Sequence, residues 1–221
     1  MKEPRVTGHE SRATGRVIVV GGHTRNIGKT QLCVEILRAF PGRDWTAMKI
    51  TQYGHGVCSV NGEACGCAAD DHTFAVTEER DPAGRADTCR MLAAGARRVF
   101  WVRTKQGRLA EALPQVREKI AAASDVIIES NTLLHFLRPD LYLPVLDFSR
   151  ADFKDSAREF LDRADAYVLL GPVPDGPAWQ GVSLKPLEQS PVFVVQPDRL
   201  CPPALANFIR EKVFAAAPTS G

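Results

Sequence analysis

The sequence predicts an α/β fold in which a mainly parallel sheet carries helices on both faces. Two observations lead to this prediction. Short runs rich in valine and isoleucine alternate along the chain with stretches whose apolar residues recur at helical spacing, which is the pattern of strands joined by crossover helices. The first run, residues 16–21, is apolar at almost every position and ends in glycine, as expected for a strand buried on both faces.

The other elements follow from the same patterns and from the residues that interrupt them. Pro41 stops the first predicted helix, Gly95 ends the second, and Pro114 lies near the first turn of the third. Further strands are predicted at 45–50, 73–77, 98–102, 125–129, 141–147, 166–170 and 192–195. Helices are predicted at 32–40, 86–94, 109–123, 155–163 and 203–216, and a loop at 171–178.

Length and composition narrow the class of protein. The chain has 221 residues, 44% of them hydrophobic and 24% charged, an ordinary balance for a globular domain. The net charge of +2 gives no basic surplus for a nucleic-acid partner. No apolar run approaches the roughly 18 residues that cross a membrane, and the first sixteen residues lack the apolar core of a secretion signal. We expect a cytoplasmic protein with a flexible tail at 1–15 and a single domain at 16–216.

The strongest motif is a phosphate-binding loop (P-loop) between the first strand and the first helix. Gly28-Lys29-Thr30 is the end of such a loop, whose backbone N–H groups cradle phosphate at the start of a helix. Lys29 is expected to neutralise the β- and γ-phosphates of a nucleotide and the Thr30 hydroxyl to hold Mg²⁺. The candidate nucleotide-binding residues are Gly22, His23, Thr24, Arg25, Asn26, Ile27, Gly28, Lys29, Thr30 and Gln31.

One position of the loop departs from the usual pattern. The first glycine of the motif is expected at residue 23, which is histidine, and a glycine stands one residue earlier, at Gly22. The alternative interpretation is a glycine-rich turn that binds nothing. The strand before it, the helix after it and the intact Gly28-Lys29-Thr30 favour nucleotide binding.

A P-loop also needs a carboxylate on the Mg²⁺ side, at the carboxyl end of a buried strand. Glu129 ends the run Asp-Val-Ile-Ile-Glu and fits best, and Asp147 at the end of a later strand is the rival. Asp125 begins its strand and therefore lies at the other edge of the sheet, where a structural role is expected.

Four segments together resemble the MobB-type proteins of molybdopterin-guanine-dinucleotide biosynthesis. They are the loop VVGGHTRNIGKT, Lys49 with His55, the run DPAGRADTCR at 81–90 followed by Ala-Gly-Ala, and the strand 125–129. These segments cover residues 16–130, and the third is the most specific. Two differences stand out: Ser130-Asn131 replaces the family's glycine, and about two dozen extra residues separate His55 from Asp81.

The resemblance implies a P-loop NTPase fold that binds GTP or ATP with Mg²⁺. It places Asp81, Asp87 and Glu129 near the γ-phosphate and the metal as catalytic residues with Lys29. It also places Lys49 and His55 at the mouth of the site. It also implies a homodimer, and a metal-cofactor enzyme or a cofactor-biosynthesis protein as partner.

The extra residues form a Cys- and His-rich insertion at 51–80. Cys58, Cys65 and Cys67 fall within ten residues and are flanked by His55 and His72. Closely spaced thiolates can converge on one ion, and soft sulfur ligands favour Zn²⁺ or an iron–sulfur cluster over Mg²⁺. Reversible thiol oxidation and a loop without a role are the alternatives. Cys33 and Cys89 lie in predicted helices, where free cysteine packs as a small hydrophobe.

Three functions remain open at this stage. The first is a MobB-like nucleoside triphosphatase that assists assembly or delivery of a metal cofactor, with the cysteine insertion as its cargo site. The second is a small-molecule kinase in which Asp81 or Asp87 acts as base. The third is a nucleotide-gated adaptor that acts through a partner protein.

Overall fold

In a computed structural model, residues 15–53, 73–171 and 179–215 are described. The strands are β1 (Arg16–Gly22), β2 (Trp45–Tyr53), β3 (Phe74–Glu79), β4 (Arg98–Lys105), β5 (Asp125–Glu129), β6 (Leu141–Asp147), β7 (Tyr167–Leu170) and β8 (Val192–Val195). The helices are α1 (Lys29–Ala39), α2 (Asp87–Ala93), α3 (Leu109–Ala121), α4 (Asp155–Arg158), α5 (Lys185–Gln189) and α6 (Pro203–Ile209). Short 3₁₀ turns cover Thr132–His135 and Leu161–Arg163, and a π-helical turn covers Arg210–Phe214.

The eight strands form one sheet in the order β3-β4-β2-β5-β1-β6-β7-β8. Every neighbouring pair is parallel except β3 and β4. The predicted α/β fold with a mainly parallel sheet is therefore confirmed. β1 lies between β5 and β6, so the residues that follow it emerge near the middle of the sheet, at the carboxyl ends of its neighbours.

Apolar residues fill both faces of the sheet, and β1 shows how. Val17 and Val19 point into one core with α3, whereas Ile18 and Val20 point into the other with α1 and α6. Burial on both sides explains why this strand is apolar without alternation. Cys33 and Cys89 are buried, at 0% and 5% exposure, and both are protonated packing residues because burial raises the pKa of each thiol.

The differences from the predicted elements have local causes. β2 continues three residues beyond the predicted end because it pairs with β4 as far as Tyr53. The helix predicted at 155–163 breaks into α4 and a 3₁₀ turn, and the last predicted helix ends as a π-helical turn. The sequence predicts no helix at 185–189, where α5 forms with Pro186 in its first turn, a position that proline tolerates. No helix in the described part of the chain is long and apolar enough to cross a membrane.

Candidate functional site

The loop between β1 and α1 has the backbone of a phosphate cradle. Asn26 and Gly28 adopt positive φ angles of 54° and 89°, a conformation that asparagine tolerates and glycine adopts without strain. Gly28 directly precedes α1, whose first turn has no acidic residue and no side-chain cap. The N–H groups of this turn and the positive end of the helix dipole therefore point into the loop, as at other anion-binding helix starts.

Lys29 lies folded over this loop. Its Nζ donates to the Thr24 carbonyl at 2.7 Å, so the ammonium stays within the loop rather than in solvent. Burial lowers the pKa of Lys29 to about 8, although the charge of Glu129 acts in the opposite direction. A bound phosphate would supply the negative charge that this buried ammonium favours.

Four side chains meet beside the loop, where β2 and β5 run next to each other. The Thr30 hydroxyl donates to Glu129 Oε2 at 2.6 Å. Lys49 Nζ donates to Glu129 Oε1 at 2.9 Å and to Asp87 Oδ2 at 2.6 Å. Lys49 stands opposite Glu129 in the register of β2 and β5, and Asp87 begins α2. Residues 30, 49, 87 and 129 are thus brought to one point.

Charge holds this group together. Burial disfavours the ammonium of Lys49, but the charge of Glu129 and the hydrogen bonds to Asp87 and Glu129 outweigh it and raise the pKa of Lys49. Burial likewise disfavours the Asp87 carboxylate, and the hydrogen bond from Lys49 outweighs it, so the pKa of Asp87 is lowered. Both groups are therefore charged at neutral pH, and Asp87 is a weak base.

These residues line an open pocket of about 730 Å³. Among the described residues around it, five basic side chains face two acidic ones, a net charge of +3. The basic residues are Arg25, Lys29, Lys49, Arg90 and Lys154, and the acidic ones are Asp87 and Glu129. Burial, followed by the charge of Arg25, lowers the pKa of Lys154. A pocket with this excess of positive charge, beside the start of a helix, suits a polyphosphate ligand.

Similarity to known proteins is limited to solved structures. No family model and no curated protein matches the chain. Eight chains of solved structures match, among them the crystal structure of HypB from Helicobacter pylori in complex with nickel. That chain is 12% identical, with 92% of each chain covered and a TM-score of 0.45. A likeness of this degree carries no argument about function, and the MobB-type resemblance stays a prediction from the sequence.

His23, the residue in place of the first loop glycine, is completely buried. Its Nδ1 lies 2.8 Å from the Asp152 carbonyl, and its Nε2 accepts the Asp147 N–H at 3.1 Å. These partners require a neutral ring with the proton on Nδ1. Burial lowers the pKa of His23, which favours that neutral form.

Asn131 fixes the loop from the β5 side. Its Oδ1 accepts the Gly22 N–H at 2.8 Å, and its Nδ2 donates to the Gly22 carbonyl at 2.9 Å. A Cβ at Gly21 would lie 2.3 Å from Asn131 Oδ1, so the glycine before the loop is required by close packing. In the sequence, Asn131 stands out only as a departure from a family pattern, although a polar residue directly after a buried strand is a signal for such a role.

Asp147, the rival to Glu129, lines a different cavity. This second cavity, of about 570 Å³, is also lined by loop residues 26–28 and has Leu170 and Leu200 in its wall. Asp147 Oδ1 accepts the N–H and the hydroxyl of Ser149. The carboxylate is therefore not gathered with Thr30 and Glu129.

The remaining candidate residues lie elsewhere or are not described. Asp81 is exposed in the loop after β3, where its Oδ1 accepts the Ala83 N–H at 2.9 Å. His55, His72, Cys58, Cys65 and Cys67 fall outside the described residues. Within the described ranges, no three His, Cys, Asp or Glu side chains gather as a metal site would require.

Proposed function

We propose that this protein binds a nucleoside triphosphate together with Mg²⁺ and hydrolyses it. The observation that carries the proposal is the junction of the phosphate loop with β5. There the hydroxyl of Thr30 meets the Glu129 carboxylate at 2.6 Å, next to a lysine folded over an uncapped helix start. P-loop enzymes place the same kinds of group around the β- and γ-phosphates.

The oxygen donors of the site suit Mg²⁺. This ion prefers a few hard oxygen ligands and retains several waters, and Thr30 with Glu129 offers one hydroxyl and one carboxylate. Lys49 contacts both residues, with its Nζ 3.4 Å from the Thr30 hydroxyl. Its ammonium would therefore have to move aside when a metal ion is held there, and Asp87 provides an anionic partner for it.

The chemical step that this site supports is attack of water on the γ-phosphate. Bound Mg²⁺ would offset the charge of the phosphate oxygens. The N–H groups at the start of α1 hold the phosphates in place, and Lys29 stabilises negative charge as it spreads over the transferred group. Glu129 keeps the Thr30 hydroxyl oriented through their short hydrogen bond.

The second cavity is the natural place for the nucleoside. It shares Asn26, Ile27, Gly28 and Gln31 with the pocket of about 730 Å³ beside the loop, which we call the phosphate pocket. One ligand can therefore extend past the loop and occupy both cavities. Its leucine-lined wall suits a planar base, and the Asp147 carboxylate offers acceptors for base N–H groups. Comparison of GTPγS with ATPγS binding distinguishes guanine from adenine as the base.

We further propose that nucleotide hydrolysis serves the assembly or delivery of a metal cofactor. This role rests on the sequence resemblance and on Cys58, Cys65 and Cys67 in the insertion that follows β2. We expect anaerobically purified protein to contain stoichiometric zinc or iron, and Ser at all three positions to remove it. Metal-free wild-type protein would contradict the cargo role and would leave the nucleotide site unaffected.

The kinase alternative has less support. Asp87, one candidate base, is a weak base because the hydrogen bond from Lys49 outweighs burial and lowers its pKa. Asp81, the other candidate, lies on an exposed turn. A kinase would transfer phosphate to an added acceptor, whereas the proposed enzyme releases inorganic phosphate from triphosphate and water alone.

The test of the proposal is nucleotide binding by Lys29→Ala. Titration calorimetry with GTPγS and ATPγS in the presence of Mg²⁺ should show micromolar or tighter binding of at least one by the wild type. Lys29→Ala should weaken it by about 100-fold or more. Lys212→Ala removes an equivalent charge from an exposed position and should bind as the wild type does. Equal affinity of all three proteins would refute the proposed site.

A further inference from the structure

We propose that Lys154 binds the terminal phosphate of the nucleotide and that His23 positions it, an inference that rests on the proposed function. Lys154 lies in the loop between β6 and α4, more than 120 residues after the phosphate loop. Its side chain lines the phosphate pocket together with Lys29, Thr30 and Glu129. No ion pair among the described residues includes it, so its charge remains for a ligand.

The backbone of Lys154 is attached directly to the phosphate loop. Its N–H donates to the His23 carbonyl at 2.8 Å. Lys29 Nζ lies against the carbonyl of the next residue, Thr24. The backbone of Lys154 and the ammonium of Lys29 therefore contact adjoining carbonyl groups at the start of the loop. Because Lys29 is the residue that reaches the β- and γ-phosphates, we place Lys154 at the terminal phosphate.

The side chain of His23 holds the rest of the same segment. Its two ring nitrogens bond to the Asp147 N–H and the Asp152 carbonyl, and the Thr24 hydroxyl donates to the Asp152 carboxylate. The ring also packs against Phe153 and Trp179, with centroids 5.2 and 4.8 Å away.

A glycine at position 23 would make none of the side-chain contacts. The histidine that departs from the usual loop motif thus fixes residues 147–154 against the loop. In this arrangement the segment delivers a third lysine, after Lys29 and Lys49, to the phosphate pocket.

The first experiment compares triphosphate with diphosphate affinity in Lys154→Met. We expect GTPγS and ATPγS, whichever the wild type binds, to bind about tenfold more weakly, as for loss of a charge-assisted contact. GDP or ADP should lose less than about threefold. Lys212→Met, an exposed control, should leave both affinities unchanged. An unchanged triphosphate affinity, or an equal loss for both nucleotides, would overturn the assignment.

The second experiment tests the positioning role by a double-mutant cycle. His23→Gly restores the usual glycine, yet we expect it to weaken triphosphate binding about as much as Lys154→Met does. The double variant should be no weaker than either single variant, because both remove the same contact. Additive losses would show that His23 does not act through Lys154. If His23→Gly does not fold, as judged by circular dichroism, His23→Asn replaces it in the cycle.

Lys29→Ala distinguishes a failure of the proposed function from a failure of the role proposed for Lys154. If it retains wild-type affinity for GTPγS and ATPγS, the proposed function itself fails. If it loses binding while Lys154→Met binds as the wild type does, the nucleotide site stands and only the role of Lys154 fails.

Discussion

β5 carries a buried carboxylate at each end, and the two are held in different ways. At its amino end, Asp125 accepts two hydrogen bonds from Arg43, at 2.9 and 3.2 Å, and has Arg16 3.6 Å away. At its carboxyl end, Glu129 accepts from the Thr30 hydroxyl and the Lys49 ammonium. The exposures of the two residues are similar, 4% and 6%.

The partners, rather than the burial, distinguish the two ends. Asp125 is satisfied by guanidinium groups that bind it in a fixed geometry, and it contributes to stability. The partners of Glu129 are a loop hydroxyl and a lysine that both face the phosphate pocket. Ligands of open α/β sheets bind at the carboxyl ends of the strands, and this one strand separates a structural carboxylate from the carboxylate that we propose to act in nucleotide hydrolysis.

The end of β5 that carries Glu129 is expected to be the most sensitive to substitution. Glu129→Gln retains the shape of the side chain but removes its charge from Thr30 and Lys49. We expect the rate of phosphate release per folded molecule to fall by about 100-fold or more, and the free energy of unfolding to fall as well, because buried Lys49 loses one of its two anionic partners. A turnover within threefold of the wild type would show that the two ends of β5 do not differ in function.

The matching change at the amino end of β5 should affect stability alone. Asp125→Asn weakens the contacts to Arg43 and Arg16, which are partly exposed at 27% and 46% and are therefore partly screened. We expect the free energy of unfolding in urea to fall by about 2 kcal/mol, with normal phosphate release per folded molecule. Lost turnover at unchanged stability would contradict this assignment.

Asn131 extends the comparison beyond the strand end. Asn131→Ala leaves the N–H and the carbonyl of Gly22 without their side-chain partner. We expect a loss of about 1–2 kcal/mol in the free energy of unfolding and weaker nucleotide binding, since the start of the loop is no longer fixed. Asn207→Ala, at an exposed helix position, is the control and should change neither quantity.

The smallest effect is a pH dependence that belongs to His23. Burial lowers its pKa in the folded protein below the ordinary value of 6.5, so between these two values the unfolded chain binds a proton that the folded chain does not. Stability should therefore be fully present above pH 6.5 and decrease as the pH falls below it, by at most about 1.4 kcal/mol per pH unit. His23→Asn should reduce this slope between pH 6.5 and 5, measured by urea unfolding, and an identical slope in both proteins would exclude His23 as its source.

The parts of the site that the sequence predicts are local in the chain, whereas the parts that it does not predict depend on contacts between distant residues. The strand ends at Glu129 and Asp147 follow from apolar runs, and Gly28-Lys29-Thr30 is a local motif, so the fold and the end of the phosphate loop could be predicted from the sequence. The start of the loop depends on contacts across more than 100 residues, from His23 to Asp152 and from Gly22 to Asn131. The histidine that stands at position 23 in place of glycine does not show, from the sequence alone, where its side chain will find partners.

The separation of Glu129 from Asp147 shows the same limit. Both end buried strands, and the sequence pattern favours Glu129 without excluding Asp147. The strand order decides, because β5 and β2 place Glu129 beside Thr30 and Lys49, whereas β6 and β7 place Asp147 at the second cavity. Lys154 was missed for a related reason, since it lies in a loop without a motif.

The dependence of nucleotide binding on Mg²⁺ tests whether Thr30 and Glu129 hold the metal ion. Calorimetric titration of GTPγS and ATPγS would compare the wild type and Thr30→Val, each with Mg²⁺ and with a chelator. We predict that Mg²⁺ strengthens binding to the wild type by about tenfold or more and has little effect on Thr30→Val. Failure of the wild type to bind either nucleotide, or equal Mg²⁺ dependence in both proteins, would contradict the assignment of Thr30 and Glu129.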